Sequence, residues 1–193
     1  MDKLKECAQS FSKLFNTEYT IVAGKKSKNI EVTLFFHKEH FCHLIGLHKL
    51  KDLQIAKGDK QKIFDKIISD DLTYHDISKS AFFSEIADRF DYFTDLEQML
   101  DSEEVLVKHN EQGSKSAIKA DYIIYKISDD LIVHYFIECD KNIEKYYGKT
   151  FFLRHDKLYL RDRPYKILKK TKICNGHIVS ETVSSSYNEI VDS

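Results

Sequence analysis

The chain has 193 residues, enough to bury a full core, and its 30 Lys+Arg against 31 Asp+Glu give a formal charge of −1. That balance excludes a uniformly basic nucleic-acid binder, and four scattered cysteines without paired spacing exclude a disulfide framework or zinc ribbon. Six isolated glycines exclude a phosphate-cradling loop or dinucleotide fingerprint, and with one proline nothing marks an internal linker.

Leu4, Cys7, Ala8, Phe11, Leu14 and Phe15 recur at helical spacing and predict an amphipathic helix over 2–16. Tyr19 to Ala23 reads as a strand, Gly24 to Asn29 as a polar turn, and Ile30 to Phe36 as the returning strand of a hairpin. Phe36 to Lys49 then gathers His37, His40, His43 and His48 with two aromatic residues and two lysines. If the chain turns helical after Lys38, His40 and His43 share one face, while Leu44, Ile45 and Leu47 anchor the segment.

Asp59 is placed to cap a helix with Ile63, Phe64, Ile67 and Ile68 on its buried side. Short helical pieces follow over Thr73–Ser80, around Phe82 to Phe90, and over Thr94–Leu100, the last with Thr94 and Glu97 at capping-box spacing. From Val105 the period becomes that of strands: 105–107, 118–127, 131–138, 150–154, 157–160 and 165–173, with short returns that favour an antiparallel meander. The fold class expected is α+β, made of an N-terminal helix and hairpin, central helices and a mostly antiparallel sheet. It forms one domain over 1–179 with a polar tail at 180–193 that frays.

Charge is segregated along the chain. Lysines load the first third, lysines and arginines the last, and Asp65 to Glu104 form an acidic middle. Two basic ends converging in space would offer a phosphate-binding surface; solvated faces that balance each other are the alternative. The start lacks a secretory leader and no segment is long enough to span a membrane, so a cytoplasmic setting is expected.

The motif Phe41-x-His43-Leu44-Ile45-Gly46-Leu47 after a hydrophobic strand, with Ile118 to Ile124 and Thr150 to Arg154 leading to Arg163 to Ile167, resembles the phage-type barnase/EndoU/colicin/RelE-like nuclease domains over roughly residues 15 to 175. The resemblance implies an α+β fold and metal-independent ribonuclease activity, in a phage, mobile-element or toxin setting, with RNA as partner and an antitoxin or other protein as a further partner.

Such cleavage needs a base for the ribose 2′-hydroxyl, cations for the charged phosphorane and an acid for the leaving 5′-oxygen. His43 and His40 are the candidates for base and acid, and Arg154 for the phosphate. Lys157, Tyr159, Arg161 and Lys49 are expected to bind substrate by charge or stacking. No metal or cofactor is expected: the histidines lack an acidic partner at a ligand interval. Each assignment has a structural rival: a buried His43 bonded to backbone, edge-strand charges at Arg154, Lys157 and Arg161, and a Lys119–Asp121 ion pair. The competing functional class is a non-catalytic nucleic-acid- or protein-binding module on the same fold.

Overall fold

In this computed structural model, residues 2–25, 28–102, 105–110, 117–128, 130–160, 162–185 and 187 are described. Lys26, Arg161, the acidic pair at 103–104, residues 111–116 and half of the tail assigned to 180–193 lie outside them.

Asp2 accepts a hydrogen bond from the Lys5 N–H at 3.0 Å and so caps α1 (Lys3–Ser12), whose Leu4, Cys7, Ala8 and Phe11 face the core. The chain then turns over 13–16, four residues before the helical end that periodicity alone predicts. β1 (Thr17–Lys25) and β2 (Lys28–Leu34) form the expected hairpin, paired Tyr19 to Leu34. The histidine segment turns helical at α2 (Lys38–Leu44). Asp59 caps α3 (Lys60–Ile68) through the Gln61 and Lys62 N–H groups, and Thr73 caps α4 (Tyr74–Ser78). Residues 83–95 wind as successive 3-10 turns before α5 (Leu96–Asp101). Thr94 is not that helix's cap: it lies within the last 3-10 turn, where its carbonyl accepts from Ser10 Oγ.

The strands β3 (Val105–Lys108), β4 (Tyr122–Ser128), β5 (Leu131–Asp140), β6 (Lys145–Arg154), β7 (Lys166–Cys174) and β8 (His177–Val183) complete one eight-stranded sheet ordered β3-β4-β5-β6-β2-β1-β7-β8. β3 to β6 form the expected meander. β7 departs from it by pairing antiparallel with β1 on the far side of the hairpin, and β6 meets β2 in a parallel pair. Tyr165 donates its N–H to the Leu106 carbonyl at 2.7 Å, so the sheet curls back toward its first strand.

Three sequence expectations change here. β5 and β6 run to Asp140 and from Lys145, so the return expected between strands 131–138 and 150–154 shrinks to 141–144: Tyr146 and Tyr147 continue the strand and pair with Cys139 and Glu138. Residues 157–160 are a turn, because Asp156 Oδ1 accepts from the Leu158 N–H at 3.0 Å and Leu160 donates to the Lys157 carbonyl. Ser180 to Val183, assigned to a fraying tail, are paired to β7 in β8.

The helices cover one face of the sheet. Phe41, fully buried, packs against Phe11, Phe64 and Phe93 at ring distances of 5.8, 5.3 and 5.5 Å, and Phe93 packs on Phe151 of β6 at 5.2 Å. Burying one such ring contributes about 2–3 kcal/mol, enough to fix α2 against the sheet. Charge does not segregate as the sequence suggests: Lys172 of the basic last third bonds Glu97 and Asp101 of the acidic middle at 3.0 and 2.9 Å, and Lys38 bonds Asp65.

Candidate active site

The cleft opens where a parallel strand pair splits. β2 and β6 pair at Leu34 and Tyr146, and Phe35 still donates its N–H to the Tyr146 carbonyl at 2.9 Å. Beyond that point β2 leaves the sheet for α2, while β6 continues through Tyr147, Gly148 and Lys149. Between them lies a cleft of about 1230 Å³ whose wall includes His37, His40, His43, Glu138, Tyr147 and Lys149, with Lys60 at its rim.

Local chemistry fixes α2 in this position. His37 stands in extended conformation before the helix and donates its N–H to His40 Nδ1 at 3.2 Å. His40 stacks on His37 at 5.7 Å and on Tyr147 at 4.8 Å. Gly46, at φ +89°, ends the segment in a left-handed turn. A Cβ there would lie 2.6 Å from Ile86 and 3.1 Å from the Arg89 guanidinium, so only glycine leaves room for Arg89 to donate to the Leu44 carbonyl at 2.8 Å. Leu44, Ile45 and Leu47 are fully buried, which explains the apolar half of the motif as packing.

β6 supplies the other wall through a bulge. Phe136 pairs with Thr150 but Ile137 pairs with Gly148, so Lys149 is the extra residue. Gly148 faces the helices, where a Cβ would come within 2.8 Å of Leu44, and Phe151 faces them too, buried completely. Strict alternation cannot put positions 148 and 151 on one face; the bulge absorbs the parity and turns Lys149 into the cleft.

The polar groups form a connected set. Glu138 Oε2 accepts from Tyr147 Oη at 2.5 Å and from Lys149 Nζ at 2.6 Å. Burial pushes the Glu138 carboxyl up, but the hydrogen bonds from Lys149 and Tyr147 outweigh it and hold the group below its usual value. Tyr147 is pushed well up by burial and by that carboxylate, so it stays a phenol. His43 is half-buried, and burial, Lys60 and Lys149 hold its imidazole below its ordinary value. Burial lowers His40 and His48 to about 4 each. His43 and His48 lie ring to ring at 4.5 Å. At neutral pH the cleft therefore presents the neutral imidazoles of His40 and His43 beside an anchored ammonium, an arrangement able to accept a proton and to stabilise an anion.

His43 and His40 thus come together as expected. Lys49 is near them, on the far side of His43, 3.9 Å from Glu85. Arg154 does not join them. It lies five positions beyond Lys149 on β6, on the order of 16 Å at the usual strand rise, where it pairs with Asp156 at 2.5 Å and lies over the Tyr159 ring at 5.6 Å. Tyr159 packs on His134, Phe136 and Phe152 in a cluster away from the cleft, Lys157 lies in the turn that replaces the expected hairpin, and Arg161 is outside the described residues. Asp121 accepts from the Cys139 N–H at 2.8 Å rather than serving the ion pair expected with Lys119. Sequence reasoning missed Lys149, Glu138, Tyr147, Lys60 and Arg89. Gly148, which the sequence reading leaves in the return between two strands, was the available signal for a bulge once 145–154 is one strand.

Fold and cleft together define an α+β protein whose cleft, between a short helix and a bulged strand, is lined by histidines and by a lysine held on a carboxylate. The chain belongs to the phage-Barnase-EndoU-ColicinE5/D-RelE like nuclease4 family, whose model matches residues 3–189. No curated protein and no solved structure matches it. Among the described residues no helix is long and apolar enough to cross a membrane.

Proposed function

We propose that the protein is a metal-independent endoribonuclease of a phage, mobile-element or toxin system that cleaves RNA by attack of a ribose 2′-oxygen on the adjacent phosphorus. The observation that carries this reading is that His43 and Lys149 line one cleft, with Lys149 and Lys60 close enough to depress the imidazole.

His43, neutral at physiological pH, takes the 2′-hydroxyl proton as the 2′-oxygen bonds to phosphorus. The dianionic phosphorane is stabilised by the Lys149 ammonium, which Glu138 holds in place, and by Lys60 at the rim. The bond from phosphorus to the 5′-oxygen breaks, and Lys149 gives that oxygen a proton. A 2′,3′-cyclic phosphate and a 5′-hydroxyl result; water returns the proton from the His43 imidazolium to Lys149. Tyr147, bonded to Glu138 and stacked on His40, holds the wall of the site. Histidine and lysine supply every proton and charge that this route needs.

The test is incubation of purified protein with total RNA in EDTA, followed by end-group analysis. Cyclic 2′,3′ ends that disappear with His43→Ala support the reading. Intact RNA under these conditions, with RNA still bound, would assign the cleft to a binding module instead.

A further inference from the structure

On the far side of His43 and Lys149 the cleft continues into a second pocket of about 370 Å³, reached past His48. Its cations are Lys49, Lys119, Lys149 and Arg89, and no carboxylate is among its described lining residues. Arg89 is the unusual member. It is 1% exposed, it donates to the neutral Leu44 carbonyl, and its Nε has no hydrogen-bond partner among the described residues. Glu85 and Asp88 act on it through space. A guanidinium taken from water with a donor unmet is costly unless an anion answers it. His48 Nδ1, in the same wall, is also buried without a hydrogen-bond partner among the described residues. Gly46 and the Leu44 carbonyl hold Arg89 in this position, so the placement is built into the motif that carries His43.

We propose that this second pocket is a phosphate subsite, which takes the phosphate next to the one cleaved and so makes the protein select a polynucleotide strand over a single phosphodiester. The proposal rests on the ribonuclease reading for which phosphate lies beside His43, but the anion site itself is independent of cleavage. Phosphate has the charge and acceptor count to meet the guanidinium and both outer lysines at once. Phe152 and Ile118, the apolar part of the wall, keep the pocket from being a purely hydrated patch.

The test uses uncleavable 2′-deoxy oligonucleotides carrying one or two phosphates, with binding read by fluorescence anisotropy across a salt series. The second phosphate is expected to tighten binding about tenfold, as one charge-assisted contact does, and to steepen the log–log salt slope by about 0.7. Both increments should vanish in Lys49→Gln/Lys119→Gln, a pair of accessible side chains whose replacement leaves Arg89 packing intact. Inorganic phosphate should compete for the increment in the wild type. Absence of an increment, or its survival in the double variant, overturns the subsite. Because no arm requires turnover, a protein that shows the increment yet cleaves no RNA keeps the subsite and loses the ribonuclease reading. One that cleaves without the increment does the reverse.

Discussion

Lys149 and Glu138 meet at 2.6 Å across β6 and β5, and the same carboxylate oxygen takes the Tyr147 hydroxyl. The pair fixes an ammonium beside His43 because the β6 bulge falls at Lys149. If that ammonium both stabilises the phosphorane and protonates the leaving oxygen, the two roles are separable. Lys149→Arg keeps the charge but gives up no proton near neutrality. It should cut kcat on RNA by about a hundredfold, yet leave cleavage of a nucleoside 3′-(4-nitrophenyl phosphate), whose leaving group needs no proton, within about tenfold of wild type. Lys149→Ala should depress both. Equal losses on both substrates in the arginine variant would remove the acid role.

The acidic limb of kcat/KM should fall below pH 6.5, because burial, Lys60 and Lys149 all hold the His43 imidazole down. Lys60→Met should move that midpoint upward, since it removes a neighbouring positive charge. A pH–rate profile of the two proteins decides it; an unmoved or downward midpoint would mean that another group reports the limb.

Stability should also decline in acid, through a residue outside the cleft. His134 is fully buried among Phe136, Phe152 and Tyr159 and is lowered to about 4 by burial, with Arg154 adding to the effect. A histidine whose folded pKa lies below its unfolded value near 6.5 stabilises the fold above about pH 6.5, and that contribution is lost as the pH falls toward 4. Between pH 7 and pH 5 the loss for one such group is about 2 kcal/mol. His134→Phe, which also removes an Nε2 without a partner among the described residues, should be about 2 kcal/mol less acid-sensitive in urea denaturation at the two pH values. An identical pH dependence would show that the His134 pKa is the same in the fold as in the unfolded chain.

Gly148→Ala should cost about 1–3 kcal/mol, because the new Cβ meets Leu44 of α2 at 2.8 Å and the buried Tyr135 ring at 2.7 Å. As the same contact spaces α2 from β6, activity should fall with stability, read by urea midpoint and initial rate together. A variant of wild-type stability would mean that the two elements can move apart freely.

Local patterns made much of the fold legible. The hairpin, the Asp59 cap and the helical histidine segment each have a signature within a few residues. His43 was visible for the same reason, as was its nearness to His40. What sequence could not supply was long-range pairing. Lys149 enters the site through a one-residue bulge opposite Phe136 and Ile137, and Glu138 reaches it across the strand pair. The sequence places Arg154 in a strand and Lys149 just ahead of it, and only the long-range register shows that Lys149 belongs to the strand and enters the cleft. Arg89 was hidden in an acidic stretch, its role visible once Gly46 and Leu44 fold against it.

The most direct test is a DNA oligonucleotide with a single ribose, incubated with the protein in EDTA beside His43→Ala, Lys149→Ala and Arg154→Ala. Cleavage should occur only 3′ of the ribose, leave a 2′,3′-cyclic phosphate, and fail when the 2′-oxygen is methylated. It should drop by at least about a hundredfold in the first two variants and persist in Arg154→Ala, whose guanidinium is paired with Asp156. Cleavage between deoxyribonucleotides, or a single-ribose product that survives His43→Ala, would contradict 2′-oxygen attack driven from this cleft.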